Sequence, residues 1–553
     1  MAEPVHPALT QALAARQRAP RDAGAALNLG RVLAQLGRTA EAETALRDAV
    51  HLKRDFAEAR FDLAQHLHRT GKLDEAEAIF RALAREMPGV AHMKIALGAV
   101  LIDQNRPGDG EIILRRALGE TSDPGLKAQI TLYLGTALRR QRRDDEAMVM
   151  ADLAVAQNPA SAAAQLHRAE ALENAGRFDE AVTVFETLLN RAPGDPGLHH
   201  GYNELLYRLR RDDDYLKSYD RAPASRPLRL GKAFFLSQAG RDAEAHAVYQ
   251  DLLAKDTNDQ VAALGAAKAA TMLGRHAEAV ATFDALMARQ GMTPDLCRRA
   301  AEPSLLAGDP QKAAWYCEKA LEQSPRDGAT LALQSIAWRM MEDERDETLS
   351  GYDTLVRTFD LEPPQGFSRM EDFNAELDAA LDRLHPGTRE FLGQSLRGGT
   401  QTPNTLFGSG LELVEKLQMR IDETVARYIA ELAADDGHPF LSRRARDFRY
   451  AGSWSSRLKD RGFHVNHIHP MGWISSCYYV AVPPAVEDET ARQGWIKFGE
   501  PSLNVALNQP VRRAIQPAAG RLILFPSYLW HGTIPFHDQA ARTTIAFDVV
   551  PAG

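Results

Sequence analysis

The stretch LGRTAEAETALRDAV, residues 36–50, carries the pattern on which most of the fold rests. A glycine is followed five positions later by an alanine, and then by an apolar pair at helical spacing. The same order returns in TGKLDEAEAIFRALA (70–84), AGRFDEAVTVFETLL (175–189), AGRDAEAHAVYQDLL (239–253) and LGRHAEAVATFDALM (273–287). Gly37 and Gly71 lie 34 residues apart, as do Gly240, Gly274 and Gly308. Asn105 occupies the rung after Gly71, Arg142 and Gly176 continue the ladder after a three-residue slip, and Arg210 stands 30 residues before Gly240. Glycine ends one helix and permits a tight turn into the next. The small alanine lets two helices approach closely. The preceding segments, such as ALNLGRVLAQL (26–36) and ARFDLAQHLHR (59–69), place apolar residues three and four apart, as an amphipathic helix requires.

A period of 34 residues resembles that of tetratricopeptide repeats, and about ten such units fit between residues 24 and 360. The resemblance implies a right-handed superhelix whose concave face binds an extended peptide or another protein. Residues 1–23 read as a helical lead-in, 24–360 as the repeats and 361–553 as a second domain. No catalytic cluster stands out in the repeats, and their charged residues read as solvated helix faces.

Composition agrees with a folded, multidomain chain. The 553 residues exceed one ordinary core, and 44% hydrophobic with 25% charged residues leaves no sign of wholesale disorder. A formal net charge of −8 argues against a nucleic-acid partner. The first twenty residues lack the apolar core of a secretory signal, and no run of 18 apolar residues predicts a membrane span. Cys297, Cys317 and Cys477 are too few for a disulfide framework and fit a reducing, cytoplasmic setting.

After about Phe359 the ladder stops. DLEPPQGFSR breaks helix. MEDFNAELDAALDRLHP and SGLELVEKLQMRIDETVARYIAELAADD predict two helices, and GQSLRGGTQTPNTLFGSG between them reads as a glycine-rich loop without the Gly-Lys-Ser/Thr ending of a phosphate cradle. From about Asp447 the segments FRYAGSWSSRL, WISSCYYVAV, GWIKFG, RLILFP and TTIAFDVV are short, β-branched and aromatic, separated by Pro, Gly and Asn. The predicted class is α+β multidomain: an N-terminal α-solenoid followed by a jelly roll with buttressing helices.

FHVNHIHPMGWISSCYYVAV, residues 463–482, concentrates His464, His467 and His469 at the mouth of one predicted strand. On a regular strand His467 and His469 share a face and His464 points the other way. Two adjacent imidazoles can hold a metal, and His531, in GRLILFPSYLWHGTIPF, supplies a third. Arg542 follows on the next strand with Thr544 on its face; a buried arginine there asks for an anion, best a carboxylate.

These stretches resemble the iron- and 2-oxoglutarate-dependent oxygenases, which hold Fe(II) on a double-stranded β-helix, and more closely a bacterial group with an H-x-H motif that is often fused to tetratricopeptide repeats. The resemblance covers roughly residues 390–553. Carried over, it implies His467 and His531 as iron ligands, with His469 in the slot usually held by an acidic residue. His469 is then either a third imidazole ligand, leaving the iron more positive, or a second-sphere group with water completing the site. Arg542 and Thr544 match the pair that binds the far carboxylate of 2-oxoglutarate, and Tyr479 is placed to donate to it, with Tyr478 next in line; Tyr479 reads equally as a core residue. His464 reads as structural or superficial, His537 as exposed in a polar loop, and Cys477 as a small buried apolar residue. The implied cofactors are Fe(II), 2-oxoglutarate as cosubstrate and O2. The implied activity is hydroxylation of a protein or peptide recruited by the repeats, with no nucleic-acid or membrane partner. Two alternatives stand beside it: a non-catalytic scaffold with a cupin-like domain, and a three-histidine dioxygenase that does not use 2-oxoglutarate.

Overall fold

The computed structural model describes residues 6–385, 394–402 and 406–552. The chain divides into two compact units, 1–181 and 182–553. Paired helices make up the first unit; the second holds paired helices as far as the helix Arg345–Ser350, after which antiparallel sheet takes over. Within the described residues no helix is long and apolar enough to cross a membrane.

The ladder of the sequence is a ladder of backbone turns. Gly37, Gly71, Gly176, Gly240, Gly274 and Gly308 adopt left-handed φ, and so do Asn105 (62°), Arg142 (58°) and Arg210 (55°) in the rungs that lack glycine. Each turn closes with the amide three residues past the helix end bonded back to its last turn, as in Arg38 N–H to Leu33 O (3.0 Å) and Arg275 N–H to Ala270 O (2.8 Å). One further rung, Glu342 (56°), stands where no residue type marks it. The alanines five positions after the glycines, Ala42, Ala76, Ala181, Ala245, Ala279 and Ala313, are fully buried. They seat the second helix of each pair against the first.

The second unit adds nine strands: β1 (Arg357–Asp360), β2 (Leu396–Gln401), β3 (Phe448–His464), β4 (Ile474–Ala481), β5 (Ile496–Phe498), β6 (Arg513–Ile515), β7 (Arg521–Pro526), β8 (His531–Thr533) and β9 (Arg542–Pro551). They form a six-stranded sheet in the order β1-β7-β4-β9-β3-β2 and a three-stranded sheet in the order β6-β5-β8, antiparallel at every pairing. Phe498 of the small sheet meets Phe525 of the large one edge-on at 5.0 Å, so the two sheets share a core. The predicted helices are Met370–Asp382 and Glu412–Glu431. The first covers β4, where the Tyr478 hydroxyl donates to Asn374 Oδ1 (2.8 Å). β4 is therefore buried on both faces from Ile474 to Val480, which is why its sequence shows no alternation of apolar and charged residues.

Two expectations change. The glycine-rich segment 393–410 is not all loop: residues 396–401 form β2, which pairs with β3, because Gly399 lets the backbones approach more closely than a Cβ would permit (2.3 Å to Arg457 O). Residues 393 and 403–405 of that segment lie outside the described residues. At the other end, residues 357–360, read as the tail of the repeats, form the edge strand β1 paired with β7.

The last repeats are fastened to the sheets. Trp530 donates from Nε1 to Ala332 O (3.1 Å), the Tyr528 hydroxyl to Leu349 O (2.7 Å), and Arg513 to Val356 O (2.8 Å). Gly328, at the start of the helix Gly328–Met340, lies so close to the turn after His469 that an added Cβ would sit 3.0 Å from Pro470 O. The histidine-bearing loop is thus seated directly on a repeat helix.

Candidate functional site

His467 and His531 face each other across an isolated antiparallel bridge, each amide bonded to the other's carbonyl (2.8 and 3.0 Å). Two residues on, His469 N–H donates to Ser527 O (2.9 Å), and Gly472 N–H returns to His469 O (3.1 Å), closing a tight turn. The motif is therefore not a regular strand. β3 ends at His464, and the chain crosses to β8 by one bridge and a turn. The three rings still converge: one ring nitrogen from each of His467, His469 and His531 lies within 4.8 Å of the other two.

Their outer nitrogens explain the orientation. Nδ1 of His467 bonds Val465 O (2.8 Å), Nδ1 of His531 bonds Leu529 O (2.8 Å), and Nδ1 of His469 bonds Asp548 Oδ2 (2.7 Å). A carbonyl can only accept, so Nδ1 of His467 and of His531 carries the proton and Nε2 presents its lone pair. Nε2 of His467 and Nε2 of His469 stand 3.1 Å apart. Ligands about 2.1 Å from one metal at a right angle are about 3 Å apart, so this spacing suits two donors to a single ion. Burial, followed by the neighbouring His469, pushes His467 down to about 3, and burial pushes His531 well below its usual range. Both stay neutral, the form that binds metal. Trp454 stacks on His469 (5.4 Å, 19°) and fixes its plane.

A cavity of about 650 Å³ joins this cluster to Arg542. Arg542, Thr544, Ala546 and Asp548 all line it, the alternate residues on one face of β9. Arg542 is 1% exposed, its Nε and Nη1 have no hydrogen-bond partner, and no described carboxylate pairs with it. Its guanidinium lies 4.9 Å over the Tyr479 ring. Tyr479 is itself fully buried, with its hydroxyl unpartnered and held protonated by burial. Tyr479 does not line the cavity, whereas Cys477 does. Tyr478 points to the opposite face of the sheet, toward Asn374. An unpaired buried guanidinium is costly, and a carboxylate entering the cavity satisfies it.

His464 departs from the sequence reading. Because β3 ends there, the parity argument no longer holds. The ring lines the cavity, bonded through Nδ1 to Thr533 Oγ1 (3.2 Å) and 6.1 Å from His467. His537 is exposed, as its polar loop predicts. Asp548 and Trp454 were missed. Asp548 had a signal, since it lies an even number of positions beyond Arg542 and Thr544 on the same strand; Trp454 had none.

The geometry accords with the comparisons. A family model described as "Putative 2OG-Fe(II) oxygenase" matches residues 452–548, and tetratricopeptide-repeat models match residues 6–55, 35–91 and 138–202. The chain carries tetratricopeptide repeats in its N-terminal region, and its C-terminal sheet region is similar to that oxygenase family over residues 452–548. A curated relative, cell division cycle protein 27 homolog A of Arabidopsis thaliana, is 29% identical over 124 residues, 22% of this chain and 16% of its own length. The chain thus spans less than a fifth of that relative. Among solved structures, a tetratricopeptide repeat protein from Parabacteroides merdae is 20% identical, covering 45% of this chain and 98% of its own, with a TM-score of 0.32. The Thermus thermophilus repeat protein TTC0263 is 22% identical, covering 34% of this chain and 99% of its own, with a TM-score of 0.31.

Proposed function

We propose that the chain is an Fe(II)- and 2-oxoglutarate-dependent dioxygenase that hydroxylates a protein or peptide recruited by its repeats. One observation carries the reading: three imidazoles converge in the same cavity as a buried guanidinium with two unpartnered nitrogens. His467, His469 and His531 would hold the metal through Nε2, with Nδ1 of each already committed. Arg542 would grip the far carboxylate of 2-oxoglutarate through its free nitrogens. Thr544, on the same strand face, would add a hydroxyl, and Tyr479 would support the guanidinium with its ring. Fe(II) with 2-oxoglutarate and O2 supplies the oxidising chemistry, decarboxylation to succinate and CO2 coupled to hydroxylation of a C–H bond. The chain's contribution is placement, charge and exclusion of water from the buried end of the cavity.

The cavity wall includes Gln238 and Lys268, which stand on the repeat helices Arg226–Gln238 and Gln260–Met272. A segment lying on those helices would reach the histidines directly, which supports recruitment by the repeats. Tetratricopeptide repeats generally mediate protein interactions. The test is anaerobic loading with Fe(II), then 2-oxoglutarate and O2, with succinate measured. The parent should bind one equivalent of iron and form succinate, and His467→Ala and His531→Ala should do neither while staying folded. Stoichiometric iron without 2-oxoglutarate consumption would favour the three-histidine dioxygenase instead.

A further inference from the structure

We propose that Asp548 is a positioning residue that supplies, through His469, the negative charge that a set of three imidazoles lacks. The inference rests on the metal-centre reading above and concerns how this chain manages without an acidic ligand. A site of two imidazoles and one carboxylate brings one negative charge to a divalent metal; three neutral imidazoles bring none. Asp548 Oδ2 lies 2.7 Å from His469 Nδ1, so the carboxylate is one ring away from the lone pair that faces the metal position. Asp548 is bound to no lysine or arginine among the described residues. Its other oxygen, Oδ1, accepts from the Ser475 hydroxyl (2.6 Å), a neutral donor that orients the carboxylate without cancelling it.

The backbone around this pair is built to hold it. Ser475 and Asp548 are direct partners in the β4–β9 register. Ser527, whose carbonyl receives the His469 amide, also bonds Ser475 Oγ through its hydroxyl (2.8 Å). The turn that follows His469 closes over them at Gly472, where an added Cβ would stand 2.4 Å from Ser527 Oγ and 3.5 Å from Asp548 Cβ. Trp454 holds the ring plane from the side. The imidazole is thus pinned in plane by an indole and polarised end-on by a carboxylate. A carboxylate on the outer nitrogen raises the basicity of the inner one and strengthens its bond to a metal. The charge usually placed in the ligand slot is, in this chain, carried one ring further out.

The test uses the full-length chain, Co(II) under anaerobic titration, and the potential of the Fe(III)/Fe(II) couple. Asp548→Asn keeps the size and an acceptor for Nδ1–H but removes the charge. It should weaken Co(II) binding by about 10–100-fold and raise the iron potential, with an unchanged melting temperature of the metal-free protein. In the double variant Asp548→Asn with His469→Asp, the carboxylate moves into the ligand slot, and Co(II) affinity should return to within about threefold of the parent (about 0.65 kcal/mol). Asp548→Asn with parental Co(II) affinity and parental potential would overturn the inference while leaving the metal centre intact. A double variant no tighter than Asp548→Asn alone would also overturn it, since that outcome makes the residue a spacer. A parent chain that binds no Co(II) removes the metal centre itself, and the inference with it.

Discussion

Replacing Arg542 by methionine keeps most of the apolar stem and deletes a buried cation from the cavity wall. In the ligand-free protein this guanidinium is 1% exposed with Nε and Nη1 unpartnered, a standing desolvation cost. The ligand-free variant should therefore melt at or above the parent temperature. With 2-oxoglutarate the sign reverses. Breaking a buried, hydrogen-bonded charge pair by removing one partner costs about 3–5 kcal/mol. At about 1.4 kcal/mol per decade, that is a loss of about two to three and a half decades in 2-oxoglutarate affinity. At a concentration of about 100 Kd for the parent, ligand stabilisation of about 2.7 kcal/mol should fall to nearly nothing in the variant. The assay pairs calorimetric titration of the Co(II)-loaded protein, kept anaerobic, with thermal melts at both ligand concentrations. Arg542→Lys should recover part of the affinity, because the charge remains while the fork is lost. A 2-oxoglutarate Kd within threefold of the parent in Arg542→Met, with metal still bound, would refute the assignment of the guanidinium to the cosubstrate.

Further tests address the fold that holds the site. A fragment of residues 361–553 lacks β1, the helices that receive Trp530 and Tyr528 and the connection that receives Arg513, so it should lose cooperative unfolding by calorimetry, whereas a chain starting at Ala175 should keep it. Gly265→Ala should destabilise the second unit by about 1–3 kcal/mol in urea titrations, since its Cβ would stand 2.4 Å from the Tyr249 ring. Asp259 caps the helix Gln260–Met272 and pairs with Arg226, which holds its carboxyl down to about 2. Its depressed value means that its contribution to stability is complete above the ordinary carboxylate range and is lost as pH falls toward 2. Asp259→Asn should remove that acid-dependent part from the pH profile of the melting temperature.

How much of this was legible depends on how far apart the cooperating residues lie. The repeats were legible because each rung is local: one left-handed residue, one small alanine and one amphipathic helix specify a turn within a single stretch of chain. Even the rungs without glycine, Asn105, Arg142 and Arg210, fell where the period put them. Glu342 lies on the same period, 34 residues after Gly308, although nothing in its residue type asks for a left-handed turn. On β9 the alternation of a strand sufficed to place Arg542 and Thr544 on one face.

The sequence by itself determined a helical solenoid followed by short strands, and three histidines and an arginine of the right kind to meet. The tertiary structure alone decided that His467 and His531 are opposed by a single bridge rather than carried on one regular strand. It turned His464 back into the cavity where β3 stops, and it set Asp548 behind His469 and Trp454 beside it. It also fastened the histidine turn to the repeat helix Gly328–Met340. The physical reason is the same in each case. A period constrains neighbours along the chain, whereas a binding site is made of side chains whose separation in sequence is unrelated to their separation in space, and only the packing of sheets and helices around one core fixes the latter.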